Sequence, residues 1–374
     1  MNRRSFTRAV AAASFFFFTR GTPGKQAAFA AACQNPVRPK VRGVNLGGWL
    51  VLEKWIKPSL FADLKAEDET QLGAVLGPAA VRSHLLKHRE SFIKESDFKW
   101  IAERGLNALR IPVGHWILEP TGPLVNAPEV LDWALLQANK YGLKVLLDLH
   151  GAPGSQNGWD HSGKQGPIEW HLKKENIART LAVLEQLAKR YRNAENLLGI
   201  ELLNEPHWTV PLDVLKEFYK EGYKRVHRYL GPERVVVFHD AFRPLAWSNF
   251  MKPPDFKGIL QDTHLYQCFT AEDQKRDISE HLRVASVERK KEIESMQKEF
   301  PVYVGEWSLA LAEPVVRDHT GYELDIMRRA FGGAQLVSYE TAAGWFFWTY
   351  KTEKSPEWSL RDCVERGWLP NNFN

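Results

Sequence analysis

Eight short apolar runs punctuate this chain, and several are continuous rather than alternating. They begin near Gly43 (GVNLGG), Asn107 (NALRIPV), Leu143 (LKVLLDLH), Leu198 (LGIELLNE), Arg234 (RVVVFHD), Gly258 (GILQDTHLY), Pro301 (PVYVGEW) and Gly344 (GWFFWTY). A strand buried on both faces reads this way, because neither side of its pleat meets water. Longer stretches lie between the runs. Glu129 to Tyr141, Glu175 to Tyr191, Asp213 to Leu230 and Asp325 to Leu336 carry apolar residues at helical spacing. Eight such strands separated by helices close into a single α/β domain, a (β/α)8 TIM barrel. An open doubly wound sheet is the competing arrangement, but no glycine-rich phosphate loop follows any run. The 374 residues suit one such barrel.

The first forty or so residues break the pattern. Arg3 and Arg4 open a cationic segment, and Ala9 to Phe18 follows as an apolar run of about ten residues, too short to span a bilayer. Small residues gather from Ala27 to Ala32, where an Ala-x-Ala cleavage is expected, although Arg20 and Lys25 intervene. The arrangement resembles a twin-arginine export signal. Residues 1–36 are therefore expected to be an export signal and disordered segment, and 37–374 the barrel. A mature chain beginning between Ala28 and Asn35, in the periplasm or outside the cell, follows from this. Cys33 follows three alanines but lacks the branched residue that a lipidation site expects upstream.

Composition excludes several partners. With 44% hydrophobic and 25% charged residues the chain can bury a large core, and its net charge is only +5. Arg289, Lys290 and Lys291 cluster in a Glu-rich helical stretch and read as a solvated helix face rather than a nucleic-acid patch. Cys33, Cys268 and Cys363 are odd in number and far apart, with no zinc-type spacing; one Cys268–Cys363 bridge is the pairing left open. No stable membrane insertion is expected.

Barrel active sites lie where the strands end. Here those ends read Glu53, Arg110, His150, Asn204-Glu205, His239-Asp240, His264 and Tyr266, Glu306-Trp307, and Trp348. Any one could be a satisfied structural residue; eight strands ending this way are harder to dismiss. The fourth and seventh runs end in Asn204-Glu205-Pro206 and Gly305-Glu306-Trp307, which sets two carboxyl groups at one mouth. Cleavage of a glycosidic bond needs such a pair, one to protonate the leaving oxygen and one to stabilise the cationic sugar centre. Asn204 places an amide beside its acid, where it could hold a sugar hydroxyl, and Gly305 is expected to leave room for a close ligand. Of 14 Trp, Trp159 and Trp348 are the better candidates for sugar platforms. Two carboxylates and water suffice for this chemistry, so no metal or cofactor is implied.

The motifs also carry a resemblance. Val41-Arg42-Gly43-Val44-Asn45-Leu46-Gly47-Gly48-Trp49-Leu50-Val51-Leu52-Glu53, Leu109-Arg110-Ile111-Pro112 and Asp148-Leu149-His150-Gly151-Ala152-Pro153-Gly154-Ser155-Gln156-Asn157-Gly158 come first. Leu203-Asn204-Glu205-Pro206, His264-x-Tyr266-Gln267, Gly305-Glu306-Trp307-Ser308 and Gly344-Trp345-Phe346-Phe347-Trp348 follow in order. The chain resembles glycoside hydrolase family 5, and within it the exo-β-1,3-glucanase group. The resemblance implies a retaining β-glycosidase releasing glucose from non-reducing ends, with Glu205 as acid/base and Glu306 as nucleophile. It implies that Arg110 orients Glu306 and keeps it ionised. His150, Asn204, His264 and Tyr266 would line the subsite of the attacked sugar, and Glu53 would bind the terminal glucose. Trp159 and Phe269 would clamp the leaving-side sugar, with Asp160 beside them. The neighbouring Glu306 charge and burial should raise the pKa of Glu205.

Two departures stand out from the fungal pattern: Trp159 where it has Phe, and His161 where it has Asn. The segment from Ala312 to Arg317 also diverges. Competing readings are an endo-acting family 5 β-glucanase or cellulase, a transglycosylating β-glucosidase, and a non-catalytic glucan-binding barrel. The last should have lost one carboxylate, and both are present. A monomer acting on a β-glucan oligo- or polysaccharide is the expectation.

Overall fold

Burial on two faces makes strands of all eight apolar runs. The computed structural model describes residues 39–374; the export signal, the mature start and Cys33 fall outside the described residues. The strands are β1 (Val41–Asn45), β2 (Ala108–Gly114), β3 (Lys144–Gly151), β4 (Leu197–Glu201), β5 (Val235–His239), β6 (Ile259–His264), β7 (Val302–Glu306) and β8 (Gly344–Phe347). Each pairs in parallel with the next, and β8 pairs with β1 to close the barrel. Each predicted start lies within one residue of an observed one, except for β1, which starts two residues earlier.

Strand alternation sorts the side chains. On β3, Val145, Leu147 and Leu149 join the large core between barrel and helices, while Leu146 points to the axis. Asp148 and His150 share the parity of Leu146 and continue its row upward. The same parity puts Arg110 above Ala108, His239 above Val235 and Val237, and Asp262 and His264 above Leu260. The barrel interior thus begins apolar at its base and becomes polar at its mouth.

The helices cover the outside with one apolar stripe each. In Leu212–Leu230 the buried residues are Leu215, Phe218, Tyr219, Gly222, Tyr223, Val226 and Leu230, a spacing that keeps one face inward. Among the described residues no helix is long and apolar enough to cross a membrane. Cys268 and Cys363 are both free thiols, so the bridge left open by the sequence does not form.

The cluster at 289–291 departs from its expected reading. Lys291 is exposed, but Arg289 lines the cavity at the barrel mouth and pairs with Glu292 at 2.6 Å. A π-helical segment, Val284–Glu288, directly precedes it. A charge cluster in a Glu-rich stretch does not say which way each side chain turns, and Arg289 turns to the cavity.

Candidate active site

Two loops shape the mouth. Asp68 caps the helix Glu69–Leu76 by accepting from Gln71 N at 2.7 Å, and its other oxygen accepts from Gln165 N at 2.8 Å. Thr70 N and Oγ1 both donate to Gly163 O, at 3.0 and 2.6 Å. The loop after β3 is thereby fastened to the segment after β1. Inside the β3 loop, Ser155 Oγ meets Ser162 Oγ at 2.7 Å and accepts from Gly158 N at 2.7 Å.

Below this wall opens a cavity of about 1040 Å³. Glu205 and Glu306 line it, with His150, His264 and Tyr266 around them. Glu53, Trp159, Asp160, Phe269 and Trp348 line it as well. Arg110 and Asn204 do not; both are fully buried beneath its floor. Asn204 Oδ1 accepts from Arg110 Nη2 at 2.7 Å, and Asn204 Nδ2 donates to His150 Nε2 at 3.3 Å. One of its two amide N–H groups is thus turned to His150, and the side chain is fully buried.

The two carboxyl groups meet at one imidazole. Glu205 Oε1 lies 2.6 Å from His264 Nδ1, and Glu306 Oε2 lies 3.4 Å from the same nitrogen. Those oxygens are therefore at most about 6 Å apart. Inverting glycosidases hold their carboxyls roughly 6.5–9.5 Å apart and retaining ones roughly 5–5.5 Å. One oxygen from each carboxyl reaching the same nitrogen fits the closer, retaining arrangement.

Each carboxyl is held differently. Glu306 accepts from Arg110 Nη1 at 3.0 Å and from the Tyr266 hydroxyl at 2.9 Å. Gly305 is small for a reason other than ligand access. A Cβ there would sit 2.1 Å from Asp262 Oδ2, and the Gly305 N–H donates to Asp262 Oδ1 at 2.7 Å. The space belongs to a carboxylate, not to a sugar. Glu205 adopts a left-handed φ of 41°, a strained conformation for a residue with a side chain.

Arg110 organises the floor. Its Nε and Nη2 grip Glu201 at 2.8 and 3.1 Å, Nη2 reaches Asp148 at 3.1 Å, and Nη1 reaches Asn45 at 2.9 Å. Asp148 takes His150 Nδ1 at 2.5 Å, and Asp262 takes His264 Nε2 at 3.1 Å. A guanidinium and two carboxylate–imidazole pairs thus fix the orientation of both catalytic-side histidines.

The protons do not lie where the sequence placed them. Burial pushes Glu306 up to about 7, aided by the Glu205 charge and opposed by His264, Arg110 and Tyr266. Burial also disfavours charge on Glu205, yet His264, His161 and His150 outweigh it and hold that carboxyl down at about 2. Burial works against charge on His264 as well, but Glu306, Asp262 and Glu205 together raise it well above its usual value. The surrounding charges thus favour protonation of His264 over Glu205. That reverses the expected upward shift of Glu205, because the expectation counted Glu306 and the aromatic rings but not the imidazole between the acids.

Further residues enter the site unannounced. Trp55, Trp208 and Trp358 line the cavity beside the expected tryptophans. Trp348 stacks its ring on His150 at 5.4 Å and 6°, so one of its faces is already covered. Trp159 packs near Trp208 and Phe242, whereas Phe269 packs near Tyr266 and Trp358. The two expected clamp residues therefore belong to separate aromatic groups lining one cavity. Asp148 and Asp262 each precede a strand-end histidine by two residues, a same-face spacing that could have exposed them. Glu53 accepts from Trp55 Nε1 at 2.8 Å, and burial raises its carboxyl well above the usual range.

Glu205, His239 and His264 lie close enough to suit a cation. The tautomers argue otherwise. His239 Nδ1 accepts from Ala241 N at 2.9 Å, so the ring proton must sit on Nε2 and neither nitrogen offers a free lone pair. This cluster is arranged to hold protons.

An acid pair across one imidazole at the mouth of a (β/α)8 barrel makes this molecule a glycoside hydrolase by class. Comparison with known sequences narrows it. The family model described as Cellulase (glycosyl hydrolase family 5) matches residues 73–354, and the chain belongs to that family. It is 38% identical over 372 residues to a probable glucan 1,3-beta-glucosidase A of Emericella nidulans, spanning 88% of this chain and 90% of that one. A glucan 1,3-beta-glucosidase of Schwanniomyces occidentalis is 37% identical over 383 residues, 89% of this chain and 88% of that one. Among solved structures, rutinosidase from Aspergillus niger shares the fold with a TM-score of 0.75 at 21% identity, covering 88% of this chain and 97% of its own.

Proposed function

We propose that this protein is an exported retaining exo-β-1,3-glucanase, releasing glucose from the non-reducing ends of a β-1,3-glucan. The gathering of both carboxyls on one imidazole supports the retaining mechanism, and the names of the similar fungal proteins supply the linkage. The wall tied by Asp68 and Thr70 favours exo attack. A fastened loop that shares the cavity lining with Glu53 and Trp55 would bar the open groove that an endo enzyme needs.

In this reading Glu306 attacks the anomeric carbon, and its anion is steadied by Arg110 and Tyr266. Glu205 protonates the leaving oxygen. Its proton comes from His264 Nδ1 across the 2.6 Å contact, and Asp262 holds the imidazole in place while it gives that proton up. Once the glycosyl-enzyme forms, Glu306 is neutral and Glu205 acts as base toward water. Trp159 and Phe269 flank the leaving sugar, with Asp160 nearby. Residues 1–36 would be removed on export, leaving 37–374 as the working barrel.

Azide tests the assignment of roles. Glu205→Ala should still be glycosylated by an activated aryl glucoside, and azide should release β-glucosyl azide. Glu306→Ala should give no β-azide. The opposite pattern would reverse the roles. Glucose as the first product from laminarin supports exo attack; early mixed oligosaccharides would overturn it.

A further inference from the structure

His161 stands on the short turn Asp160–Ser162, and its backbone is fixed by the fastened loop. Its ring lies near His150 and Trp159, with centroids at 5.1 and 5.5 Å. Its Nε2 points at Glu205 Oε2, 3.5 Å away, and Nδ1 is buried without a hydrogen-bond partner. Glu205 is thus flanked by two imidazoles, His264 on Oε1 and His161 on Oε2.

The unpartnered nitrogen decides the tautomer. If Nδ1 carried the proton, a buried N–H donor would be left without an acceptor, the rarer and costlier defect. If Nε2 carries it, the orphan is only a lone pair, and the N–H faces a carboxylate. The ring is otherwise held by packing, so its one polar interaction is with Glu205. The titratable groups around it are Glu205 from the end of β4, His150 from β3, His264 from β6 and Asp160 on its own turn.

We propose that His161 is a positioning residue that orients the Glu205 carboxylate, its Nε2 standing 3.5 Å from Oε2. This rests on the acid/base role assigned to Glu205 above. Glu205 works as an acid in the first step and a base in the second. With a leaving group that needs no protonation, that orientation is used only in the second step, where the Glu205 carboxylate takes the proton of the attacking water. Its loss is therefore read in the hydrolysis of the glycosyl-enzyme.

The test uses 2,4-dinitrophenyl β-glucoside, whose leaving group needs no protonation, so the second step limits kcat. His161→Phe keeps a ring of similar width between His150 and Trp159 but removes the donor. Its kcat is expected to fall about tenfold, with KM falling in parallel and kcat/KM changing less than about twofold. His161→Asn, which restores an N–H donor, should recover part of that loss. In a Glu205→Ala background, His161→Phe should have no further effect on kcat. Equal losses in kcat and kcat/KM would mark a structural role and overturn the proposal, as would an unchanged kcat or a full effect without Glu205. Failure of the Glu205 assignment would show separately, as an absence of azide rescue in Glu205→Ala alone.

Discussion

The interior of the barrel contains two regions built on the same strands with opposite chemistry. At the base, Val41, Ala108, Leu146, Val235, Val237, Leu260, Tyr303 and Phe346 form a small separate core. At the mouth, the same inward rows present Arg110, Asp148, Glu201, Asp262 and His264, all nearly or fully buried. The base is stabilised by removal of apolar surface from water, a non-directional effect that tolerates substitution if volume is kept. The mouth holds charge out of water and survives only because every group has a specific partner. One region supplies stability and the other spends part of it on placing protons.

Arg110→Met should break this contrast most severely. It leaves Glu201, Asp148 and Glu306 without their shared cation, so a loss of about 3–5 kcal/mol in urea unfolding is expected, together with near-complete loss of turnover. A variant as stable as the parent would show that the mouth is not held by charge. Leu146→Ala, one turn of the pleat below, should cost about 3 kcal/mol by leaving a cavity. At temperatures where that variant stays folded, kcat/KM should remain within about twofold; a larger fall would mean that the base positions the site directly.

The third test is pH. In the proposed mechanism Glu306 attacks only when ionised, and burial pushes its carboxyl up to about 7. In the free enzyme kcat/KM should therefore decline about tenfold per unit as pH falls below about 7. Tyr266→Phe removes a donor to the charged form, so that acid limb should move to higher pH. A flat profile down to pH 5 would show that Arg110 and Tyr266 overcome burial. Smallest of the four is Asp68→Ala, outside the barrel. Losing the cap should cost about 1 kcal/mol, and loosening the wall should raise KM for laminarin oligomers more than it lowers kcat. An unchanged KM would detach the wall from substrate binding.

Legibility in the sequence followed the same divide. Two-sided burial wrote the eight strands as apolar runs, and the strand-end rule found Glu53, His150, Glu205, His264 and Glu306. Arg110 was found with its partner Glu306, but its grip on Glu201 and Asp148 was not, since nothing local marks a network buried beneath the cavity. Asp148, Glu201 and Asp262 sit within apolar runs, where a single acid is easily absorbed into the strand. The raised pKa of His264 was illegible because it depends on three carboxyl groups from three strands converging on one ring. Arg289 was misplaced because three neighbouring cations among glutamates were read as one solvated face.

Gly305 has an implication for how this site can vary. It touches no substrate in the proposed mechanism, yet its missing side chain is the seat of Asp262, which holds His264, which faces both glutamates. Diversity introduced next to Glu306 by random libraries would thus be filtered at a position that contacts only the scaffold. Active clones should return glycine at 305 whatever glycan they are selected on, while the aromatic positions around the cavity drift with the substrate.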